Sequence, residues 1–397
     1  MEFPMKAVVV GGCGHVGLPL ALFLTSKGFV TYSLDKNATS VEKVNSGNMP
    51  FFEEGAEPLL LNSLSSGNFK ATTDVSVVSE ADFIVVVIGT PIDEYQNPDA
   101  KAVFATILEL RPYLRKGQLL ILRSTVFPGT TKNVQRLLDN SNAEVDVIFA
   151  PERILEGKAI LELQTLPQIV GADSDYALEK GVTFFENLGI ATKSTTSEEA
   201  EFAKLFTNTW RYIKFAAANQ FWMLANEAGL DYSKIRDAIT FEYPRAADLP
   251  QAGFAAGPCL LKDTLQLAAF SSHNFSLGNA AVQVNEGQPI YLIEKILEDH
   301  DLSQMTVGIL GMAFKGESDD PRSSLSYKLK RILIFKAKKV MTADPYVKED
   351  SDLFPQEDVV EQSDILIIGS PHHIYKDLIT DKPIYDVWNL RKKGNKI

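Results

Sequence analysis

The sequence predicts an α/β protein with two Rossmann-type, doubly wound domains joined by a long central helix and a further helical region. Three observations carry this reading. Apolar strand-like runs alternate with helical patterns at both ends of the chain, a glycine fingerprint follows the first run, and a helical pattern of about thirty residues separates the ends. The expected domains are residues 1–196, 197–301 and 302–397.

Residues 5–10 read as a buried strand that runs into Gly11-Gly12-Cys13-Gly14-His15-Val16-Gly17 and then a helical pattern over 18–26. This is the strand, G-x-G-x-x-G, helix order of a dinucleotide-binding turn. Gly12 permits the tight turn, Gly14 lets the backbone approach a pyrophosphate, and Gly17 lets the helix close on the sheet. Cys13 and His15 hold variable positions and are assigned no chemistry of their own; His15 and Val16 count, with the glycines, as cofactor-binding positions of the turn. A second strand over 30–34 ends in Asp35. An acid there accepts hydrogen bonds from an adenosine ribose and repels a 2′-phosphate, so the expected cofactor is NAD rather than NADP.

Three further strands end in polar clusters: 82–88 in Gly89-Thr90-Pro91, 118–122 in Arg123-Ser124-Thr125, and 146–149 in Ala150-Pro151-Glu152. Helices over 100–110 and 130–138 fit right-handed crossovers. Ligands of an open parallel sheet lie beyond the carboxyl ends of its strands, which makes Thr90, Pro91 and Thr125 cofactor candidates. Taken singly, Thr90 and Thr125 fit simple caps as well. Glu152 and Glu156 stand four residues apart, on one face if the segment is helical, and such a pair can deprotonate a water. Two solvated surface acids is the plain alternative. Residues 168–171 read as a strand, and 188–192 as the close of this domain.

From Ser197 the pattern is helical, with Ser197 as N-cap, Glu198 and Glu199 in the first turn and Gly229 at the end. Its length is about 45 Å, enough to bridge two domains. Lys204 and Asn208 are one turn apart on one face. Glu201 and Lys204 as solvent decoration is the simple reading, but Asn208 beside Leu205, Phe206 and Trp210 serves solubility poorly. Helices continue past Tyr232, broken by Glu242-Tyr243-Pro244-Arg245 and by Gly253-Phe254-Ala255-Ala256-Gly257-Pro258-Cys259-Leu260-Leu261-Lys262-Asp263. That second stretch sets a cysteine on a small-residue loop leading into a helix. A thiol attacks as thiolate, which a helix N-terminus and a nearby cation such as Lys262 favour. A buried structural cysteine beside a Gly/Pro turn is the alternative, so the chemistry requires a sulfur not packed in hydrocarbon. Helical runs follow over 264–270 and 280–297.

Strands over 305–310, 339–342, 364–368 and 384–387 with a helix over 323–334 make another Rossmann-type unit, without an intact glycine fingerprint. Its loop carries Lys315, Asp319, Asp320 and Arg322, where two cations could grip a phosphate or a facing subunit, or form a solvated network.

With 397 residues, 45% of them hydrophobic, the chain can bury a large core, and its net charge of −12 argues against a nucleic-acid or anionic-membrane binder. Two cysteines, Cys13 and Cys259, form no disulfide framework and fit a reducing compartment. No signal-peptide pattern and no run of about 18 apolar residues is present, so the expected location is the cytoplasm. No metal ligands are expected.

These motifs together resemble the UDP-glucose/GDP-mannose dehydrogenase family over essentially the whole chain: Gly12, Gly14 and Gly17 with Asp35, Gly89-Thr90-Pro91, Ser124-Thr125-Val126, Pro151-Glu152 to Glu156-Gly157, Lys204 with Asn208, Gly257-Pro258-Cys259 with Lys262-Asp263, and Gly311-Met312-Ala313-Phe314-Lys315. The resemblance implies an N-terminal NAD domain, a helical dimerisation region giving a homodimer, and a C-terminal sugar-nucleotide domain. It implies oxidation of a sugar C6 alcohol to the carboxylate in two hydride transfers to two NAD molecules. A water held by Thr125, Lys204 and Asp263 helps remove the hydroxyl proton. Cys259 then captures the aldehyde as a thiohemiacetal, and the thioester formed next is hydrolysed with help from Glu152 and Glu156. Lys204 and Asn208 stabilise the oxyanion, a role worth about 3 kcal/mol per donor. Lys262 joins the cofactor-binding residues; Glu152, Arg153, Leu155, Lys204, Asn208, Arg245, Gly257, Phe314, Lys315 and Arg322 match positions around the sugar nucleotide or the subunit interface.

Departures bear on the details. Ala255, Ala256 and Leu261 stand where relatives carry glycine or proline, which implies a variant loop path if any of these positions needs a positive φ. Arg153 replaces the aromatic of UDP-glucose enzymes and resembles members acting on UDP-N-acetylhexosamines, so a UDP-sugar is expected, N-acetylated in preference to glucose. The alternatives are a GDP-mannose 6-dehydrogenase, a two-electron β-hydroxyacid dehydrogenase, which explains neither Cys259 nor the last domain, and a non-catalytic sugar-nucleotide sensor.

Overall fold

The structure, a computed structural model, describes residues 4–90, 101–141, 143–272 and 274–397. The chain packs as two compact units, Met1–Phe206 and Thr207–Ile397.

In the first unit the elements are β1 (Lys6–Val10), α1 (Gly17–Ser26), β2 (Val30–Leu34), α2 (Ala38–Asn45), α3 (Ala56–Ser65), β3 (Phe69–Thr72), β4 (Phe83–Val86), α4 (Lys101–Leu110), β5 (Leu119–Leu122), α5 (Thr130–Asp139), β6 (Asp146–Phe149), α6 (Ala159–Thr165), β7 (Gln168–Gly171), α7 (Asp175–Asn187), β8 (Thr192–Thr195) and the start of α8 (Ser197–Glu227). Eight strands form one sheet in the order β3-β2-β1-β4-β5-β6-β7-β8. Pairing is parallel except between β6 and β7, which meet antiparallel at Phe149 and Gly171. Strands covered on both faces read as continuous apolar runs. On β1, Ala7 and Val9 enter one core with α1 and α7, while Val8 and Val10 enter the other with α4 and α5. The order reverses direction between β1 and β4, which is where an open sheet of this kind takes its ligand.

α8 starts as expected but with a different cap. Thr196, not Ser197, closes the capping box: the Glu199 carboxylate accepts the Thr196 N–H at 3.0 Å and the Thr196 hydroxyl accepts the Glu199 N–H at 3.3 Å. Ser197 donates instead to Asp173 at 2.5 Å.

The second unit holds the rest of α8, then α9 (Tyr232–Thr240), α10 (Leu260–Phe270), α11 (Ser276–Asp299), β9 (Thr306–Leu310), α12 (Leu325–Leu333), β10 (Lys339–Ala343), α13 (Gln356–Gln362), β11 (Ile365–Ile368) and β12 (Ile384–Tyr385). Its four parallel strands run β10-β9-β11-β12. Helices and sheet here share one core, in which Trp222 of α8 and Leu292 and Ile293 of α11 join Val307 and Ile309 of β9. That common core places residues 207–301 in the same unit as the C-terminal sheet. Among the described residues no helix is long and apolar enough to cross a membrane.

Candidate active site

The turn after β1 has the form a dinucleotide requires. Gly11, with φ at +79°, is the left-handed residue of the turn; Gly12 is not, and what it provides is close packing, since a Cβ there would meet Val9 O at 2.6 Å and Ser33 Cα at 2.8 Å. Gly17 is equally tight, 2.8 Å from Gly12 Cα. Among the described residues a Cβ at Gly14 would approach one atom, Gly11 O at 3.6 Å, so the backbone there is open toward them. α1 begins after Val16 with no side-chain cap and no acid in its first turn to repel an anion, but its Leu18 N–H is taken by the Gly14 carbonyl at 3.0 Å and Pro19 has none, so an anion would meet the backbone of the turn ahead of the helix. Asp35 accepts the Cys13 N–H and the Asn37 N–H, each at 3.0 Å, and is half-buried at the end of β2. These residues fit the pyrophosphate and adenosine ribose of NAD. The Cys13 thiol is pushed up to about 11 by burial, which keeps it protonated and inert at neutral pH. His15 stacks on Phe51 with ring centres 4.0 Å apart.

Beyond the sheet, Thr90 is buried and its hydroxyl donates to the Thr125 carbonyl at 2.6 Å, tying together the loops that follow β4 and β5. Pro91 lies outside the described residues. Thr125 is half-buried and caps no helix whose cap lies among the described residues. The cap of α5 comes from Glu201 on α8, whose carboxylate accepts the N–H groups of Gly129 (2.6 Å) and Thr131 (2.8 Å) and the Thr131 hydroxyl (2.6 Å). Glu201 is therefore a buried staple and not a solvated acid, and burial raises its proton affinity. Lys204, one turn on, is also buried.

The segment carrying Glu152 and Glu156 is not helical: residues 151–155 have no regular structure and a turn follows at 156–157. Helix formation fails because side-chain carboxylates take the N–H groups a helix would use. Glu152 accepts those of Arg153 (2.7 Å) and Ile154 (3.0 Å), Glu162 that of Leu155 (2.6 Å), and Glu53 those of Gly157 (2.8 Å) and Ala159 (2.7 Å). Nor is Glu152 a solvated surface acid. It is buried against Arg123, which also donates to Gln168 at 2.9 Å. Burial opposes ionisation of Glu152, but the Arg123 charge and the hydrogen bonds outweigh it and hold the carboxyl below its usual range. The Arg153 guanidinium donates to the Pro167 carbonyl.

In the second unit Cys259 is exposed and sits at the N-cap of α10. Four residues on, Asp263 is fully buried, accepts Asn208 Nδ2 at 2.6 Å and lies 3.6 Å from the Lys262 ammonium. The cysteine loop needs a left-handed residue only at Gly257, φ +105°; Ala255 and Ala256 stay out of that region, so the alanines carry no strain. Gly257 also has no room for a Cβ, which would come within 2.5 Å of the Phe314 ring. Lys315 lies over that ring, 5.6 Å from its centre. Arg322 is paired with the buried Asp320, its Nε 2.9 Å from each carboxylate oxygen. Arg245 is on an exposed turn with its guanidinium 5.7 Å from the Tyr243 ring centre.

Sequence reasoning assigned no role to Arg123 or Glu53 and missed the staple at Glu201. Each acts on a partner at least 29 residues away, and a lone charge in a sequence reads as surface.

Comparison with known proteins agrees with this geometry. The NAD-binding domain of the UDP-glucose/GDP-mannose dehydrogenase family matches residues 5–189, its central domain 198–287 and its UDP-binding domain 308–393. A UDP-N-acetyl-D-mannosamine dehydrogenase of Pyrococcus horikoshii is 31% identical over 94% of this chain and 90% of its own length. The solved structure of a UDP-D-ManNAc dehydrogenase from that organism superposes with a TM-score of 0.90 at 27% identity, covering 97% of this chain and 99% of the other. A UDP-glucose dehydrogenase structure from Pyrobaculum islandicum gives 0.90 at 25% identity, covering 98% and 96%. An NAD-type turn, an exposed cysteine capping a helix and three matched domains in order lead to one conclusion: this chain belongs to the UDP-glucose/GDP-mannose dehydrogenase family.

Proposed function

We propose that the chain oxidises the C6 alcohol of a UDP-linked N-acetylhexosamine to the uronate, through a covalent adduct on Cys259. The observation that carries this is the exposed sulfur at the N-cap of α10, one turn before the buried Asp263–Asn208 pair. The turn residues Gly12, Gly14 and Gly17, the N-terminal turn of α1 and Asp35 would hold NAD, which when bound supplies the hydride acceptor for both oxidations. Thr125, Lys204 and Asp263 position a water that takes the hydroxyl proton. Cys259 then adds to the aldehyde carbon, forming a C–S bond and retaining a reactive intermediate. Lys204 and Asn208 face the oxygen on which charge develops. Loss of the second hydride and the hydroxyl proton turns this adduct into a thioester, and water then breaks its C–S bond, releasing the carboxylate and the Cys259 thiol. Arg123 keeps Glu152 in the anionic form that can accept a proton from that water, and Glu156 is the second acceptor.

Similarity to the UDP-N-acetyl-D-mannosamine enzyme and Arg153 support an N-acetylated sugar; similarity to the Pyrobaculum enzyme keeps UDP-glucose as the second substrate to test. On α8, Trp210, Phe221 and Leu224 are large, exposed and on one face, which supports a homodimer. Purified protein is given NAD with UDP-N-acetylmannosamine, UDP-N-acetylglucosamine, UDP-glucose and GDP-mannose. Two NADH per uronate are expected with a UDP-sugar, and Cys259→Ser should lower uronate formation by about 10³-fold while retaining NAD binding. One NADH per sugar, or unchanged uronate from the serine variant, would remove the covalent route.

A further inference from the structure

The segment 151–158 lies between β6 and α6 without regular structure, yet its backbone is tied down at both ends. At one end the ties are local, from Glu152 and Glu162. At the other they come from Glu53, more than a hundred residues earlier in the chain. Glu53 is 5% exposed, and its two oxygens receive the Gly157 and Ala159 N–H groups at 2.8 and 2.7 Å. Charge-assisted bonds of this kind are short and directional, and the second one also satisfies an N–H that begins α6.

Two residues before Glu53 stands Phe51, stacked on His15 of the nucleotide turn at 4.0 Å and packed against the core that also takes Ile154. Phe51 and Glu53 are separated by at most ~7 Å of chain, so a displacement of one is felt by the other. We propose that Glu53 is a positioning residue for the 151–158 loop, and that the strap 51–53 passes the state of the nucleotide turn to that loop. The inference rests on the reading above only in taking this loop as the bearer of Glu152 and Glu156. Its consequence is an order of assembly: a filled nucleotide turn settles His15, the His15–Phe51 stack holds the strap, and the strap fixes Gly157 and Ala159 beside Glu156.

The test is hydrogen–deuterium exchange of the full chain with and without NAD, on wild type, Glu53→Gln and Phe51→Leu. In the wild type NAD is expected to slow exchange in 11–17 and, by about fivefold or more, in 151–159. Both variants should keep the protection of 11–17 but show less than about a twofold effect of NAD in 151–159. Equal NAD protection of 151–159 in the variants, or none in the wild type, overturns the proposal. Should Glu53→Gln fail to fold, Phe51→Leu, which leaves the carboxylate in place, decides it. This readout needs only NAD, so wild-type protein that oxidised no nucleotide sugar would sink the functional reading and leave the exchange result to decide this one.

Discussion

The two sheets of the molecule repeat one device and use it differently. Each first strand ends in a left-handed glycine, Gly11 at φ +79° and Gly311 at φ +94°, and each neighbouring strand ends in an aspartate, Asp35 and Asp344. Both aspartates accept N–H groups from the glycine turn. In the N-terminal sheet Asp35 accepts one such bond, stays half-buried, and faces a turn whose helix α1 starts at Gly17. In the C-terminal sheet Asp344 takes the N–H groups of Met312 (2.6 Å), Ala313 (2.9 Å), Tyr346 (2.8 Å) and Val347 (3.0 Å), and lies 3.0 Å from His372 Nε2. There α12 starts only at Leu325 and carries its own cap, Ser324. One copy leaves its acid partly exposed and able to meet a ligand; the other uses its acid to lock the turn. A repeated strand-turn-strand frame therefore does not imply a repeated binding mode.

Exchanging the two aspartates for alanine tests this most directly. Asp344→Ala should cost about 3–5 kcal/mol of stability, read by chemical denaturation, because five partners, four of them buried, lose their acceptor. A loss below ~1 kcal/mol would break the comparison. Asp35→Ala should leave stability close to wild type and weaken NAD binding by about 1.5–3 kcal/mol, measured by titration calorimetry. The glycines sharpen the contrast within the first turn. Gly12→Ala should destabilise the fold by about 1–3 kcal/mol through its contacts with Val9 and Ser33. Gly14→Ala should leave the melting temperature unchanged and reduce NAD affinity about tenfold.

The smallest effect is on pH dependence. Burial, the largest influence on Asp344, raises its pKa, but the His372 contact and the Val347 and Ala313 N–H groups together bring it down to about 2. A carboxyl depressed on folding adds stability that is fully present above its unfolded pKa of about 3.9 and is lost as pH falls through the folded value. The stability advantage of wild type over Asp344→Asn should thus shrink between pH ~4 and ~2.

The interior strands were legible because residues buried on both faces must be apolar along their whole length, as on β1, β5 and β11. Edge strands β3 and β8 escaped notice, since Lys70, Lys193 and Ser194 point to solvent and break the run. The nucleotide turn could be read because its glycines are required by steric contact whatever the rest of the chain does. The cysteine loop could be read as a loop, though not its dependence on Phe314. The conformation of the segment around Glu152 stayed open for a definite reason: a four-residue spacing of carboxylates fits a helix, and nothing local reveals that Glu53 and Glu162 will claim its N–H groups. Charged residues satisfied at long range, among them Arg123 and Glu201, are the part of a site that a sequence hides.

The seat of the cysteine loop limits how this enzyme could be redesigned. Gly257 is pressed on Phe314 and Gly253 on the Trp388 indole, so the Cys259 loop is moulded onto the C-terminal region. A chimera made by grafting a foreign C-terminal domain at residue 302, in order to change the sugar accepted, would present a mismatched bed to that loop and displace the sulfur. The workable seam lies upstream of residue 253, so that loop and bed are inherited from one parent.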